Sequence, residues 1–221
     1  MLQTVDPLFP IGSYAHSYGL EELVQLDRVK DPESLQQYID SILFPNLELF
    51  ELPYLRFLYE IAHTENWGEI SILDQEIGAA KLTKEIRNAS SSQGQQRLRI
   101  LRKLRPCSEF EKLQELKLSK EVAPHHLTVN AIENSILQTP LLPTLSAWTY
   151  QALAAPCSAS LKLFRIGQEG AQQVLTQSIQ KIENVVEKSL EIERDHAGCF
   201  NPLLDIASAR HEQAFSRLFI S

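Results

Sequence analysis

Polar and aromatic side chains that could take part in catalysis or in binding cluster near the start of the chain. The segment reads Phe9-Pro10-Ile11-Gly12-Ser13-Tyr14-Ala15-His16-Ser17-Tyr18-Gly19-Leu20-Glu21. In purely structural terms it is an extended Phe-Pro pair, a glycine turn and a serine cap on a first helical turn. A cap does not require Tyr14, His16 and Tyr18 together, and tyrosine is enriched among the residues that dominate protein interfaces. The pattern therefore predicts either a structural helix start or an interface.

The other unusual segment lies at the C-terminal end. Arg210 and His211 follow a short apolar stretch, and the chain then closes with Ser216-Arg217-Leu218-Phe219-Ile220-Ser221. Chain ends are usually polar and frayed unless they dock on something. We therefore predict that Leu218 and Phe219 dock in a groove, either in this chain or in another one.

The motifs of phosphate, metal and hydrolase sites are missing from the sequence. It contains neither G-x-x-x-x-G-K-[ST] nor G-x-G-x-x-G, and Gly12-Ser13-Tyr14 lacks the second glycine of a nucleophile elbow. Of six histidines only His125 and His126 are close together, and no H-E-x-x-H is present. We expect no permanently bound cofactor or metal and no enzymatic activity. A metal-storage protein and a small helical enzyme using His16 and Glu21 remain the alternatives.

The net charge and the composition restrict the classes of partner that the protein can bind. The formal net charge is −7, whereas binding to phosphate backbones needs a basic surface. The one basic run, Arg97 to Arg105, is either a solvated helix face or a docking surface for an acidic partner. No secretory signal or membrane-spanning run is visible, and the three cysteines are few and widely spaced. We expect a cytoplasmic protein that binds neither nucleic acid nor membranes.

Hydrophobic periodicity indicates helices throughout, because apolar residues recur at spacings of three and four and rarely alternate. We predict an all-α protein, a single-domain bundle of about ten helices over residues 1–221. Among its elements are a helix capped at Asp31 and ended by Pro45-Asn46, and a helix at about 47–63 that Pro53 either kinks or divides. A cap at Thr128 and the longest helix over 169–192 are also expected.

Residues 90–94, Ser-Ser-Ser-Gln-Gly, contradict simple helix propensity in the middle of a long helical stretch. Small side chains are favoured there if another helix approaches closely.

Both ends of the chain together resemble the urease accessory protein F family. The matching motifs are F-P-I-G-S-Y-A-H-S-Y-G-L-E near the start and S-A-R-H-E followed by S-R-L-F-I-S at the end. Between them, residues 162–172 are similar to the glycine-glutamine turn that precedes a long helix in that family. The similarity spans the chain in order.

The resemblance implies an all-α homodimer that assembles the nickel centre of urease and is not an enzyme. Its implied partners are accessory protein D or H, the GTPase accessory protein G and apo-urease, with nickel handled by the complex. A dimer contact is implied at Tyr150. The residues that the resemblance assigns to partner binding are Tyr14, His16, Ser17, Tyr18, Gly19, Glu21, Arg210, His211, Arg217, Leu218 and Phe219.

Overall fold

The structure, a computed structural model, describes residues 3, 6, 9–12, 19–211 and 218–219, and of His211 the backbone alone. Its α-helices of six residues or more, in chain order, are α1 (Leu20–Gln25), α2 (Pro32–Tyr38), α3 (Leu52–Ala62), α4 (Trp67–Ala80), α5 (Lys84–Leu104), α6 (Ser108–Leu118), α7 (His126–Ile136), α8 (Leu141–Leu163), α9 (Gly167–Ile179), α10 (Ile182–Leu190) and α11 (Pro202–His211). No strand occurs in these residues, which confirms the all-α prediction. No helix among them is both long and apolar enough to cross a bilayer.

The chain divides into two compact units. Residues Met1–Ser13 and Tyr54–Thr144 form the first unit, and residues Tyr14–Pro53 and Leu145–Ser221 form the second. The expectation of one domain over residues 1–221 stays a prediction.

Local capping signals set the starts of two helices. Asp31 caps α2 by accepting a hydrogen bond from the Ser34 amide at 2.8 Å, while Ser34 Oγ accepts one from the Asp31 amide at 3.1 Å. This reciprocal arrangement satisfies donors that a helix start leaves unpaired. Asn66 caps α4 in the simpler way, through the Glu69 amide. The predicted cap at Asp31 is confirmed.

Two prolines widen the helical stretch that continues from α2 into α3. The predicted end at Pro45-Asn46 is wrong, because the chain stays helical and passes through π-helical segments at Ile39–Leu43 and Leu47–Glu51. A proline ring collides with the carbonyl four residues earlier, which is Leu49 for Pro53. The second π segment contains that carbonyl, and Leu49 O accepts a hydrogen bond from the Gly198 amide at 2.8 Å. The wider turn thus accommodates the proline.

In the first unit, the small residues of α5 let another backbone approach closely. Gly94 lies against the residues that lead into α7, and a Cβ atom there would overlap Pro124 O and lie 2.7 Å from His126 N. On the same face, Ser91 Oγ donates a hydrogen bond to Ala123 O at 2.7 Å. The predicted close approach at residues 90–94 is confirmed, and the approaching element is the start of α7.

Asp74 of α4 organises the start of α7. Its fully buried carboxylate accepts hydrogen bonds from the amides of Ala123 and His125 at 2.7 and 2.9 Å and from Thr128 Oγ1 at 2.6 Å. A carboxylate beside amides at a helix start is stabilised by the helix dipole. Thr128 is not the cap of the helix, because α7 begins at His126 and the hydroxyl is engaged by Asp74.

The predicted helix over 169–192 is two helices. The chain turns at Gln180 and Lys181, so that α9 ends at Ile179 and α10 begins at Ile182. Of the apolar residues spaced along the predicted helix, Val174 and Val186 are buried, whereas Ile179 is exposed and Ile182 and Leu190 are half-buried. The periodicity therefore located part of the buried face but not the break.

We expect the first unit to lose stability as the pH falls from 7.5 to 5.5. Burial lowers the pKa of both His125 and His126, and for His126 the Arg97 guanidinium lowers it further. The unfolded chain takes up protons near the ordinary value of about 6.5, whereas the folded one does not. The stability contributed by neutral imidazoles is therefore complete above that pH and is lost below it, by at most about 1.4 kcal/mol per pH unit for each histidine.

Urea unfolding at the two pH values measures this loss. His126→Gln should reduce the pH dependence, because the substituted side chain does not titrate. A free energy of unfolding that is equal at pH 7.5 and 5.5 would contradict the expectation.

Candidate partner-binding site

The second unit packs α1 against α11 through a glycine. Gly19, immediately before α1, has φ +84°, in the left-handed region that favours glycine. A Cβ atom there would lie 2.9 Å from Leu204 Cδ1 and 3.7 Å from Ala207 Cβ, both on α11. The left-handed backbone conformation therefore favours glycine, whereas the Leu204 side chain is flexible and can rotate away from a Cβ atom. This gives Gly19 of the N-terminal motif a structural role.

Glu21 of α1 binds the C-terminal tail through the main chain of the tail. Its carboxylate oxygens accept hydrogen bonds from the Leu218 amide at 2.7 Å and from the Phe219 amide at 3.0 Å. Glu21 is 3% exposed and Phe219 is 6% exposed, whereas Leu218 is 72% exposed. The structure thus brings three of the predicted site residues together, two of them buried and one directed to solvent.

Glu22 and Lys162, which were not among the predicted site residues, support this arrangement. Arg210 Nε on α11 donates a hydrogen bond to Glu22 Oε1 at 2.8 Å. Lys162 Nζ lies 5.7 Å from the centre of the Phe219 ring, within the range of a cation–π interaction. Residue type alone does not identify these partners, because each pair joins residues far apart along the chain.

Exposed apolar side chains surround the start of α11. Leu203 and Ile206 lie about one turn apart on that helix and are about half exposed, and Phe200 in the preceding loop is more exposed still. Clustered exposed apolar side chains are typical of interaction surfaces, those for protein partners among them. This part of the second unit is suited to docking.

Several predicted site residues lie outside the described residues: Tyr14, His16, Ser17, Tyr18 and Arg217, together with the side chain of His211. Tyr150, the predicted dimer contact, is partly exposed on α8. Whether it contacts a second copy stays a prediction.

The basic run of α5 is only partly a solvated face. Arg97 is fully buried and donates hydrogen bonds from Nε and Nη2 to Glu133 Oε2 on α7 at 2.8 and 2.6 Å. Arg102 pairs with Glu111 at 2.6 Å on the surface of the same unit. Arg99 and Lys103 are exposed. One of the five cations is therefore part of the core.

The titratable groups of the described residues include no candidate metal centre and one unreactive buried thiol, Cys157. No group of three or more histidine, cysteine, aspartate or glutamate side chains among them could hold a metal ion. Burial raises the pKa of the Cys157 thiol to about 12, so it stays protonated and unreactive at neutral pH.

Comparison with known proteins gives consistent matches. A family model described as UreF matches residues 29–179, more than half of the chain. The urease accessory protein UreF of Actinobacillus pleuropneumoniae serotype 3 (strain JL03) is 29% identical over 221 residues, covering 100% of this chain and 97% of the relative. The UreF proteins of Pseudomonas fluorescens (strain Pf0-1) and Paenarthrobacter aurescens (strain TC1) are 29% and 26% identical over 225 and 219 residues. They cover 100% and 99% of the chain and 97% and 96% of their own lengths. The chain therefore belongs to the UreF family.

Proposed function

We propose that this chain is a urease accessory protein that acts as a docking adaptor in the assembly of the urease nickel centre. The observation that carries the proposal is its similarity to urease accessory proteins along its whole length. UreF is a family of non-enzymatic accessory proteins, in agreement with the prediction that the chain is not an enzyme. A protein of this kind acts through its surfaces.

In the proposed complex, accessory protein D or H binds first and the GTPase accessory protein G is then recruited. The GTPase cycle delivers nickel to apo-urease, so nickel is cargo and this chain holds no permanent cofactor. The chain works in the cytoplasm as a homodimer with Tyr150 at the dimer contact. Support for a docking role comes from the exposed apolar side chains of Leu203, Ile206 and Leu218 in the second unit.

The tail is proposed as the binding segment for accessory protein D or H, with Arg217 pairing an acidic group there. We expect Arg217→Ala to weaken binding by about tenfold or more, as loss of an interface arginine often does. A chain ending at Ser216 should lose the partner. Co-purification with accessory proteins D or H and G measures both effects.

Arg28→Ala, a change at an exposed arginine outside the tail, serves as the matched control. The same variants are tested in a host whose own copy is deleted, with nickel content and urease activity as readouts. Undiminished retention of the partners by both tail variants would contradict the proposed binding segment. Normal urease maturation without the chain would overturn the proposed function.

A further inference from the structure

We propose that Glu21 is a positioning residue that holds the C-terminal tail in place by its main chain and so presents the tail's side chains to a partner. The identity of that partner rests on the function proposed above, whereas the anchoring itself does not. The inference concerns the described part of the tail, Leu218 and Phe219, and the helix α1 on which it lies.

The hydrogen-bond geometry supports anchoring by the main chain. Each Glu21 carboxylate oxygen accepts from a different tail amide, at 2.7 Å from Leu218 and 3.0 Å from Phe219. Hydrogen bonds to an ionised acceptor are stronger than neutral ones. Two consecutive amides converging on one buried carboxylate fix both the position and the direction of the chain.

The direction of the anchored main chain decides which tail side chain is buried and which is exposed. Phe219 is buried with Lys162 Nζ 5.7 Å from its ring centre, while Leu218 is the exposed neighbour. Glu21 accepts hydrogen bonds from main-chain amides, which every residue except proline carries. It therefore leaves the Leu218 side chain available for contact with a partner. A tail already held in one conformation loses less conformational entropy when it binds.

The helix that carries Glu21 is itself fixed in the second unit. Gly19 packs against Leu204 and Ala207, and Glu22 pairs with Arg210, so that α1 is tied to α11 on both sides of Glu21. A rigid support of this kind is what a positioning residue requires.

The experiment measures removal of the tail by a carboxypeptidase, followed by mass spectrometry of the purified full chain. Glu21→Gln keeps the shape of the side chain but turns an NH₂ group toward an amide donor, so we expect loss of Phe219 to be about tenfold faster. Glu187→Gln is the matched control: it makes the same change at an exposed glutamate of α10 in the second unit and should leave the rate unchanged. Equal rates for Glu21→Gln and the wild type, or equal acceleration by both variants, would overturn the proposal.

A second pair of variants tests recognition of the main chain without altering α1. Leu218→Pro removes one anchored amide and should accelerate the loss of Ser221 and Ile220, whose peptide bonds do not involve position 218, whereas Leu218→Ala keeps that amide and should not. This pair decides the question if Glu21→Gln fails to fold. Identical trimming of the proline and alanine variants would contradict anchoring by the main chain.

A third readout is stability at two chain lengths. Glu21→Gln should lower the melting temperature of the full chain but not of a chain ending at Ser216, because the anchored amides are then gone. An equal decrease at both lengths would show that Glu21 acts elsewhere and would overturn the proposal.

A binding experiment distinguishes failure of this inference from failure of the proposed function. Accessory protein D or H is the probe, and Glu21→Gln should reduce its retention, whereas the control Glu187→Gln should not. If wild-type chain fails to retain that protein, the proposed partner is wrong, and the trimming rates still decide the role of Glu21. If wild type and Glu21→Gln retain it equally although trimming is faster, the tail is anchored but not presented, and the proposal fails.

Discussion

Replacing Gly94 by alanine should destabilise the first unit by about 3 kcal/mol or prevent it from folding. The new methyl group would meet backbone atoms, lying 2.6 Å from the His125 carbonyl carbon and 2.7 Å from His126 N. A flexible side chain could rotate away, but the backbone at the start of α7 is held by Asp74. The gain in helix propensity from glycine to alanine, about 1 kcal/mol, is too small to offset this overlap.

Gly68→Ala provides the matched control in the same unit. Gly68 also lies in a helix, but a Cβ atom there would meet only Asn66 Oδ1 at 3.7 Å, an ordinary contact distance. This variant should be neutral or slightly stabilised. Urea unfolding compares the two, and equal stabilities would show that the start of α7 can move away from α5.

Glu133→Leu should cost about 3–5 kcal/mol of folding free energy, because it leaves the buried guanidinium of Arg97 without its carboxylate. Glu133 and Arg97 are 1% and 0% exposed, so water cannot replace the lost partner. His126 Nε2 lies 3.1 Å from Arg97 Nη1 and accepts from it, since a guanidinium only donates. A neutral imidazole does not balance the charge.

The double variant Arg97→Met with Glu133→Leu should regain much of the lost stability, because apolar replacement of both partners removes the unpaired charge. Glu111→Leu, which breaks the exposed pair with Arg102, should change stability little. Thermal and urea unfolding measure all three variants. A double variant as unstable as Glu133→Leu alone would contradict this account.

The fold could be predicted from the sequence wherever local chemistry decides it. Asp31 and Ser34 are three residues apart and cap α2 as expected, since both partners belong to one turn. Gly94 was predicted to meet another element because small residues in a helix interior are otherwise unfavourable. The continuation past Pro45 was not predicted, because a π turn is a rare way of accommodating proline.

The candidate site depends on contacts between residues that are far apart in the sequence, and these contacts could not be predicted from the sequence. Glu21 and Leu218 are 197 residues apart, and two acidic residues opening a short helix ordinarily indicate a solvated helix start. Residue types alone marked out the N-terminal segment and the tail, and the resemblance then assigned partner binding to them. That Glu21 is buried beneath the tail, while Leu218 is exposed, follows only from packing in three dimensions.

Pro53 has a consequence for the segment that leads into α11. An ordinary amino acid at this position would supply its own amide to the preceding turn and compete for Leu49 O. Since proline has no such donor, that oxygen stays available and accepts from Gly198 instead. Pro53, a residue that usually interrupts helices, thus leaves the Leu49 carbonyl free to bind the loop at Gly198, which lies far downstream in the chain.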